Sequence, residues 1–109
     1  MEVLDRAILD WIAEHTGDAT LAEQIARAEI SKRDYTRTGF FLYFKPATDQ
    51  PEVPAGVRPV NPHIESPDLM DGAGCNLFLR AGHLHYLEVY ARGGFMPEQL
   101  ERFELRAAA

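Results

Sequence analysis

Histidine is the residue type in this chain with the most chemistry to offer. His83 and His85 alternate in an extended run, so on a regular strand both rings project from one face about 7 Å apart. His63 and Glu65 repeat that spacing in a stretch dense in proline. Three imidazole rings and a carboxylate form a donor set for Zn²⁺ or Fe²⁺, provided the fold brings the two pairs together. A His-x-His on a strand also arises by chance, and His83 falls beside a turn, where solvent suits it. The sequence therefore names no metal and no cofactor, and His83, His85, His63 and Glu65 remain candidates that only proximity can promote. Glu88, between Leu87 and Val89 and near Tyr86 and Tyr90, is a further candidate. Buried, it would suit proton transfer, whereas hydrogen-bonded to tyrosine or backbone it would be structural.

Other reactive arrangements fail on their context. Gly72-Ala73-Gly74 leads into a strand, whereas a phosphate-cradling loop must lead into a helix N-terminus, so the glycines mark a turn or bulge. Ser31 and Ser66 lack the flanking glycines of a nucleophile elbow. The single cysteine, Cys75, sits among Ala73, Leu77 and Leu79. That setting predicts a buried, unreactive thiol and a reducing compartment.

Charge removes two more classes. The chain carries 11 Lys and Arg against 17 Asp and Glu, a net charge of −6, and residues 1–55 alone hold 6 basic against 10 acidic side chains. Nucleic acid and anionic membrane surfaces both require clustered positive charge. The one basic cluster, Lys32, Arg33 and Arg37, encloses Asp34 and reads as a solvated stretch of strand. An N-terminus of Met1-Glu2-Val3-Leu4-Asp5 has acids where a signal peptide is basic, which places the protein in the cytoplasm.

The elements that would position these residues follow from periodicity. Leu4, Ile8, Trp11 and Ile12 form one stripe at helical spacing, with Trp11 as the anchor and Glu2, Asp5, Arg6 and Glu14 away from it. Gly17 is placed to stop that helix in the left-handed region. Thr20 and Glu23 have capping-box spacing, starting a second helix with Leu21, Ile25 and Ala28 on its stripe and Ala22 and Ala26 beside them. The short loop between predicts a helical hairpin over residues 1–30. Residues 33–45, rich in aromatic and β-branched side chains and stopped by Pro46, read as one central strand with a row of aromatics.

Residues 46–67 hold six of the seven prolines, which excludes a helix and any central strand there. An edge strand within residues 57–65 is compatible with that composition, and so is a lid, an ordered crossover or partial disorder. Residues 74–90 read as two strands around a glycine turn. A three-residue loop over residues 80–82 spares Ala81 a positive φ, whereas a two-residue loop requires one. The three-residue register puts Leu77, Leu79, Leu87 and Val89 on one face with His83 and His85. It puts Phe78, Leu84, Tyr86 and Tyr90 on the other with Glu88. After Gly93-Gly94, Pro97 opens a helical turn and residues 103–105 add a short strand.

The run Arg33-Asp34-Tyr35-Thr36 leading to Gly39-Phe40-Phe41, then Gly72-Ala73-Gly74 before Leu77-Phe78, then Gly82, Leu87-Glu88-Val89-Tyr90 and Pro97-Glu98, resembles a group of small, uncharacterised bacterial α+β proteins over residues 20–105. These motifs belong to turns and core strands. The resemblance implies a fold and no activity, and it carries over no catalytic residue.

The expectation is one α+β domain over residues 1–109: a helical hairpin at 1–30 packed on an antiparallel sheet of about four to five strands within 31–105. Two short helices cover one face of such a sheet. The set Phe78, Leu84, Tyr86 and Tyr90 must then lie beneath the proline segment or at an interface with another protein, a homodimer being the simplest case. The leading function is a non-catalytic protein-binding or accessory role. The alternative is a small-ligand- or metal-binding enzyme that uses His83, His85 and Glu88 under a proline-rich lid.

Overall fold

The computed structural model of the protein describes residues 1–108. Helix α1 (Val3–Thr16) buries Leu4, Ile8, Leu9 and Ile12, the i, i+4, i+5 and i+8 face of an amphipathic helix. Glu2 and Asp5 cap its start reciprocally, and Gly17, at φ 73°, closes its end by donating its N–H to the Ala13 carbonyl. Trp11 is not the anchor. It lies half-buried on the flank with its ring stacked on His15, centroids 3.6 Å apart, because the stripe centres one residue further round, on Ile8 and Ile12. Asp5 is the opposite surprise, being 1% exposed.

Helix α2 (Ala19–Ala26) starts two residues earlier than the Thr20 box implies. Asp18 is its cap, its carboxylate accepting the Leu21 N–H. A carboxylate at that position satisfies an orphan donor and also complements the positive end of the helix.

Six strands follow: β1 (Ile30–Tyr35), β2 (Gly39–Phe44), β3 (Pro62–Glu65), β4 (Ala73–Arg80), β5 (His83–Ala91) and β6 (Glu104–Ala107). They form one sheet in the order β1-β2-β5-β4-β3-β6, with antiparallel neighbours throughout. The count exceeds the expected four to five because residues 33–45 are two strands. The chain reverses at Arg37, whose φ is 72°, and the Thr36 N–H and hydroxyl both bond the Gly39 carbonyl across the turn. Strand β2 is central, as expected, between β1 and β5. Gly39 is obligatory there, since any side chain would collide with the Val89 carbonyl of β5.

The β4–β5 turn has two residues, not three. Arg80 pairs with His83, and Ala81 and Gly82 take φ of 52° and 78°, the double positive φ of a type I′ turn. The right-handed twist of the flanking strands selects that turn even though alanine is strained in it. A bulge follows at His85: Leu79 faces Leu84, yet Phe78 faces Tyr86. This extra residue puts Leu84 on the same face as Leu87 and Val89, inside the core.

Both helices lie on that inner face. Leu21 and Ile25 of α2 join Phe40, Leu42, Phe44, Leu87 and Val89 in the core. Residues 46–61 run as an ordered strap on the helix side. Val53 is buried and donates its N–H to the Gly82 carbonyl, the Val60 N–H bonds Thr16 Oγ1, and the Asn61 side chain accepts from the Leu77 N–H. The exclusion of a central strand from residues 46–67 also fails, because β3 lies between β4 and β6. Pro62 is tolerated as the first residue of β3, where a missing N–H breaks little of the ladder. Residues 97–101 form no helix, and β6 extends through Arg106 and Ala107.

Candidate functional site

The outer face of the sheet carries no helix. Alternation along each strand turns Lys32 and Asp34 of β1, Phe41 and Tyr43 of β2, and Tyr86, Glu88 and Tyr90 of β5 outward, opposite the buried Leu42, Leu87 and Val89. Asn76, Phe78 and Arg80 of β4 complete that face, opposite the buried Cys75 and Leu77. At its centre Phe41, Tyr43, Tyr86 and Phe78 form a continuous aromatic cluster. Ring centroids are 6.2 Å apart for Phe41 and Tyr43, 5.8 Å for Tyr43 and Tyr86, and 4.5 Å for Tyr86 and Phe78, all within the range of favourable aromatic pairs. Phe78 is 38% exposed.

This cluster corrects the expected set. Phe78 and Tyr86 belong to it, but Leu84 is 6% exposed on the opposite face. Tyr90 stands at the far end, packed over Gly74 with Arg92 above its ring. Phe41 and Tyr43 take their places. The run Phe40-Phe41-Leu42-Tyr43-Phe44 is apolar or aromatic at both parities, and the second parity is the sequence signal that points to Phe41 and Tyr43.

The two histidine pairs stay apart. His83 pairs with Arg80 at the turn end of the β4–β5 hairpin, while β3 joins β4 through Ile64 and Ala73 at the other end, about 23 Å away by strand rise. Among the described residues no group of three or more His, Cys, Asp or Glu side chains lies close enough to hold a metal ion. His63 Nε2 lies 2.8 Å from Glu65 Oε1, and Arg92 Nε donates to His63 Nδ1 at 3.1 Å, so both ring nitrogens are occupied within the protein. His83 Nε2 donates to the Gln50 carbonyl at 2.9 Å. The bulge breaks the alternation of His83 and His85, and the His85 ring sits edge-on to Tyr86 at 5.0 Å. Glu88 is half-exposed rather than buried, flanked across the ladder by Phe41 and Asn76.

Cys75 is a core residue. It is 4% exposed, its Sγ donates to the Pro62 carbonyl at 3.4 Å, and burial pushes its pKa up from 9.0 to about 12 against a weak opposing pull from Arg92. The thiol is neutral at pH 7 in folded and unfolded chain alike, so it contributes no pH dependence there. Above the unfolded value of 9.0 the unfolded chain ionises first, and stability falls as pH climbs from 9.0 towards about 12. At pH 8 iodoacetamide should leave the native protein unmodified over the time in which it fully alkylates the protein in urea. Equal rates by mass spectrometry would show that Cys75 is accessible.

Among the described residues no helix is long and apolar enough to cross a membrane. Comparisons with family models, with curated proteins and with solved structures return no match to this chain.

Proposed function

We propose that this protein is a non-catalytic interaction module working in the cytoplasm, that the outer sheet face is its docking surface, and that a second copy of the chain is the simplest occupant. The observation that carries the reading is the open aromatic cluster Phe41, Tyr43, Tyr86 and Phe78 with a charged rim of both signs, Lys32, Asp34, Arg80 and Glu88. Aromatic centres ringed by polar residues are the anatomy of protein interfaces, where tyrosine dominates the binding energy. A body of 39 × 28 × 19 Å has a broad face ample for the roughly 800 Å² per partner that stable complexes bury. Two-fold symmetry buries the same patch twice. The cytoplasmic placement draws on the single buried thiol, and membership of the group of small bacterial α+β proteins is proposed on the same footing. An enzyme built on His83, His85 and Glu88 has less support, because Glu88 stands beyond Tyr86 and faces no nucleophile.

Sedimentation equilibrium tests the reading. The wild type should be dimeric at roughly 10–100 μM, and Phe78→Glu, placing a charge in the centre of the patch, should be a folded monomer, with stability lowered by about 1–2 kcal/mol through the lost stacking on Tyr86. A wild type that stays monomeric across that range, or a Phe78→Glu variant that still dimerises, removes this face as a self-pairing surface.

A further inference from the structure

A different observation concerns the turn end of the sheet. There the first residues of the strap fold past β2 and the β4–β5 turn, leaving a cleft of about 620 Å³, within the range of small-molecule sites. Its apolar lining includes Tyr43, Phe44, Pro46 and Leu84, with the Tyr43 ring the one aromatic surface on the outer-face side. The polar lining includes Lys32, Arg80, His83 and His85 and holds no carboxylate, although acids outnumber bases 17 to 11 in the chain as a whole.

We infer that this cleft binds a small planar molecule bearing an oxyanion, an aromatic carboxylate or an organophosphate, with Arg80 as its principal anchor. Arg6, Arg27, Lys32, Arg33, Lys45 and Arg102 are all committed to carboxylates within the protein. Arg80, like Arg37, Arg58, Arg92 and Arg106, has no ion pair among the described residues, and of these five it is the one that lines the cleft. Its guanidinium fork therefore remains free to grip two oxygens of one anion, the strongest geometry an arginine offers. Lys32 is a weaker contributor, since Asp34 holds its ammonium at 3.3 Å.

The two histidines reach the cleft by unusual backbone means. His83 is fixed in the lining by its bond to the Gln50 carbonyl of the strap. His85 is the extra residue of the bulge, and without it the alternation would not leave Leu84 as apolar wall with a histidine on either side. Bulges that re-aim a side chain are frequent beside functional sites. The Tyr43 ring selects the ligand's body: a planar ring stacks on Tyr43 beside Pro46 while its anionic substituent reaches Arg80. The cleft shares Tyr43, Lys32 and Arg80 with the margin of the docking face, but Phe78 does not line it, so Phe78→Glu should abolish pairing and leave anion binding as in wild type, which separates the two readings.

Two matched pairs of probes test it by amide chemical-shift titration: adenosine 5′-monophosphate against adenosine, and 2-naphthoate against 2-naphthamide. At least one anion should bind with a dissociation constant of roughly 1 mM or below, shifting residues 31–32, 43–48 and 80–85. Its neutral twin should bind at least about tenfold more weakly, and Arg80→Gln should lose about the same factor for the anion. Arg58→Gln, remote from the cleft, should bind as wild type. Binding of the phosphate member alone assigns an organophosphate, and of the naphthoate alone a carboxylate. If neither anion outbinds its neutral twin, or if Arg80→Gln binds both anions as wild type does, the inference is wrong. Arg80 is exposed, so the melting temperature of that variant should not move and a folding defect cannot imitate the loss.

Discussion

Replacing Gln24 with alanine should destabilise the protein by about 2–4 kcal/mol, the sum of leaving the buried Leu84 N–H without a partner and losing the bonds to the Pro51 and Gly82 carbonyls. Gln24 is 1% exposed on α2. Its Nε2 donates to the Pro51 carbonyl at 2.8 Å and to the Gly82 carbonyl at 2.9 Å, and its Oε1 accepts the Leu84 N–H at 3.1 Å. One side chain thus joins the helix layer, the strap and the β4–β5 turn. Gly82 O keeps the Val53 N–H when the amide goes and exposed Pro51 can turn its carbonyl to water, but the buried Leu84 N–H is orphaned. Glutamate, of the same size, should be no better, because a carboxylate can accept from Leu84 but presents lone pairs to two carbonyls. Both variants should melt more than roughly 10 °C below wild type. A Gln24→Glu variant of wild-type stability would mean that the two carbonyls are satisfied by something else.

The second large effect is expected where α1 meets β1. Asp5 and Arg33 meet at 2.5 Å with Asp5 only 1% exposed, and the Arg33 guanidinium also lies 4.0 Å over the Phe40 ring. Arg33→Met retains an apolar stem over Phe40 but strands a carboxylate in the core, at a cost of about 3–5 kcal/mol. Asp5 Oδ1 already has no hydrogen-bond partner, and without Arg33 the Oδ2 atom keeps only the Glu2 N–H. Changing both partners, Asp5→Leu with Arg33→Met, removes the stranded charge and should restore all but about 1–2 kcal/mol, the residue being the lost cap on the Glu2 N–H. Chemical denaturation of the two single variants and the double variant gives the coupling directly. A single Arg33→Met variant within about 1 kcal/mol of wild type would show that water reaches Asp5.

These two residues also mark where sequence reading stops. Leu4, Ile8 and Ile12 at helical spacing announce α1, Gly17 announces its end, and the aromatic density of residues 39–44 announces a central strand, because each signal is local. Asp5 and Gln24 look like ordinary polar helix positions. Their partners, Arg33 in one case and Pro51, Gly82 and Leu84 in the other, are distant in sequence, and only packing brings them together. The reversal at Arg37 went unread because neither glycine nor proline occupies its apex. The bulge at His85 has no composition signature at all. Since side chains alternate with period two, that one inserted residue was enough to move Leu84 from the expected docking set into the core. Of the candidate site, Phe78 and Tyr86 were legible as outward aromatics, and His83 and His85 as neighbours. The cleft they border depends on where the strap lies, which composition does not specify.

Because its turn has only two residues, the β4–β5 hairpin closes the shortest loop in the sheet, and hairpins of this kind form in about 1–10 μs. It is the natural template for the rest of folding. Strand β2 arrives from the other half of the chain and must find β5 across the whole length of the strap, a search whose entropic cost has to be met before its ladder repays it. Gln24 reaches Leu84 in the same event, so helix docking and sheet closure are coupled. Until then the long flank of β5 has unpaired N–H and C=O groups beside apolar side chains, the combination that recruits strands from other molecules. The interval between hairpin closure and β2 docking is therefore when a newly made chain is most exposed to aggregation, and the β1 and β6 margins, each paired on one side only, are the parts that fray first once folding is complete.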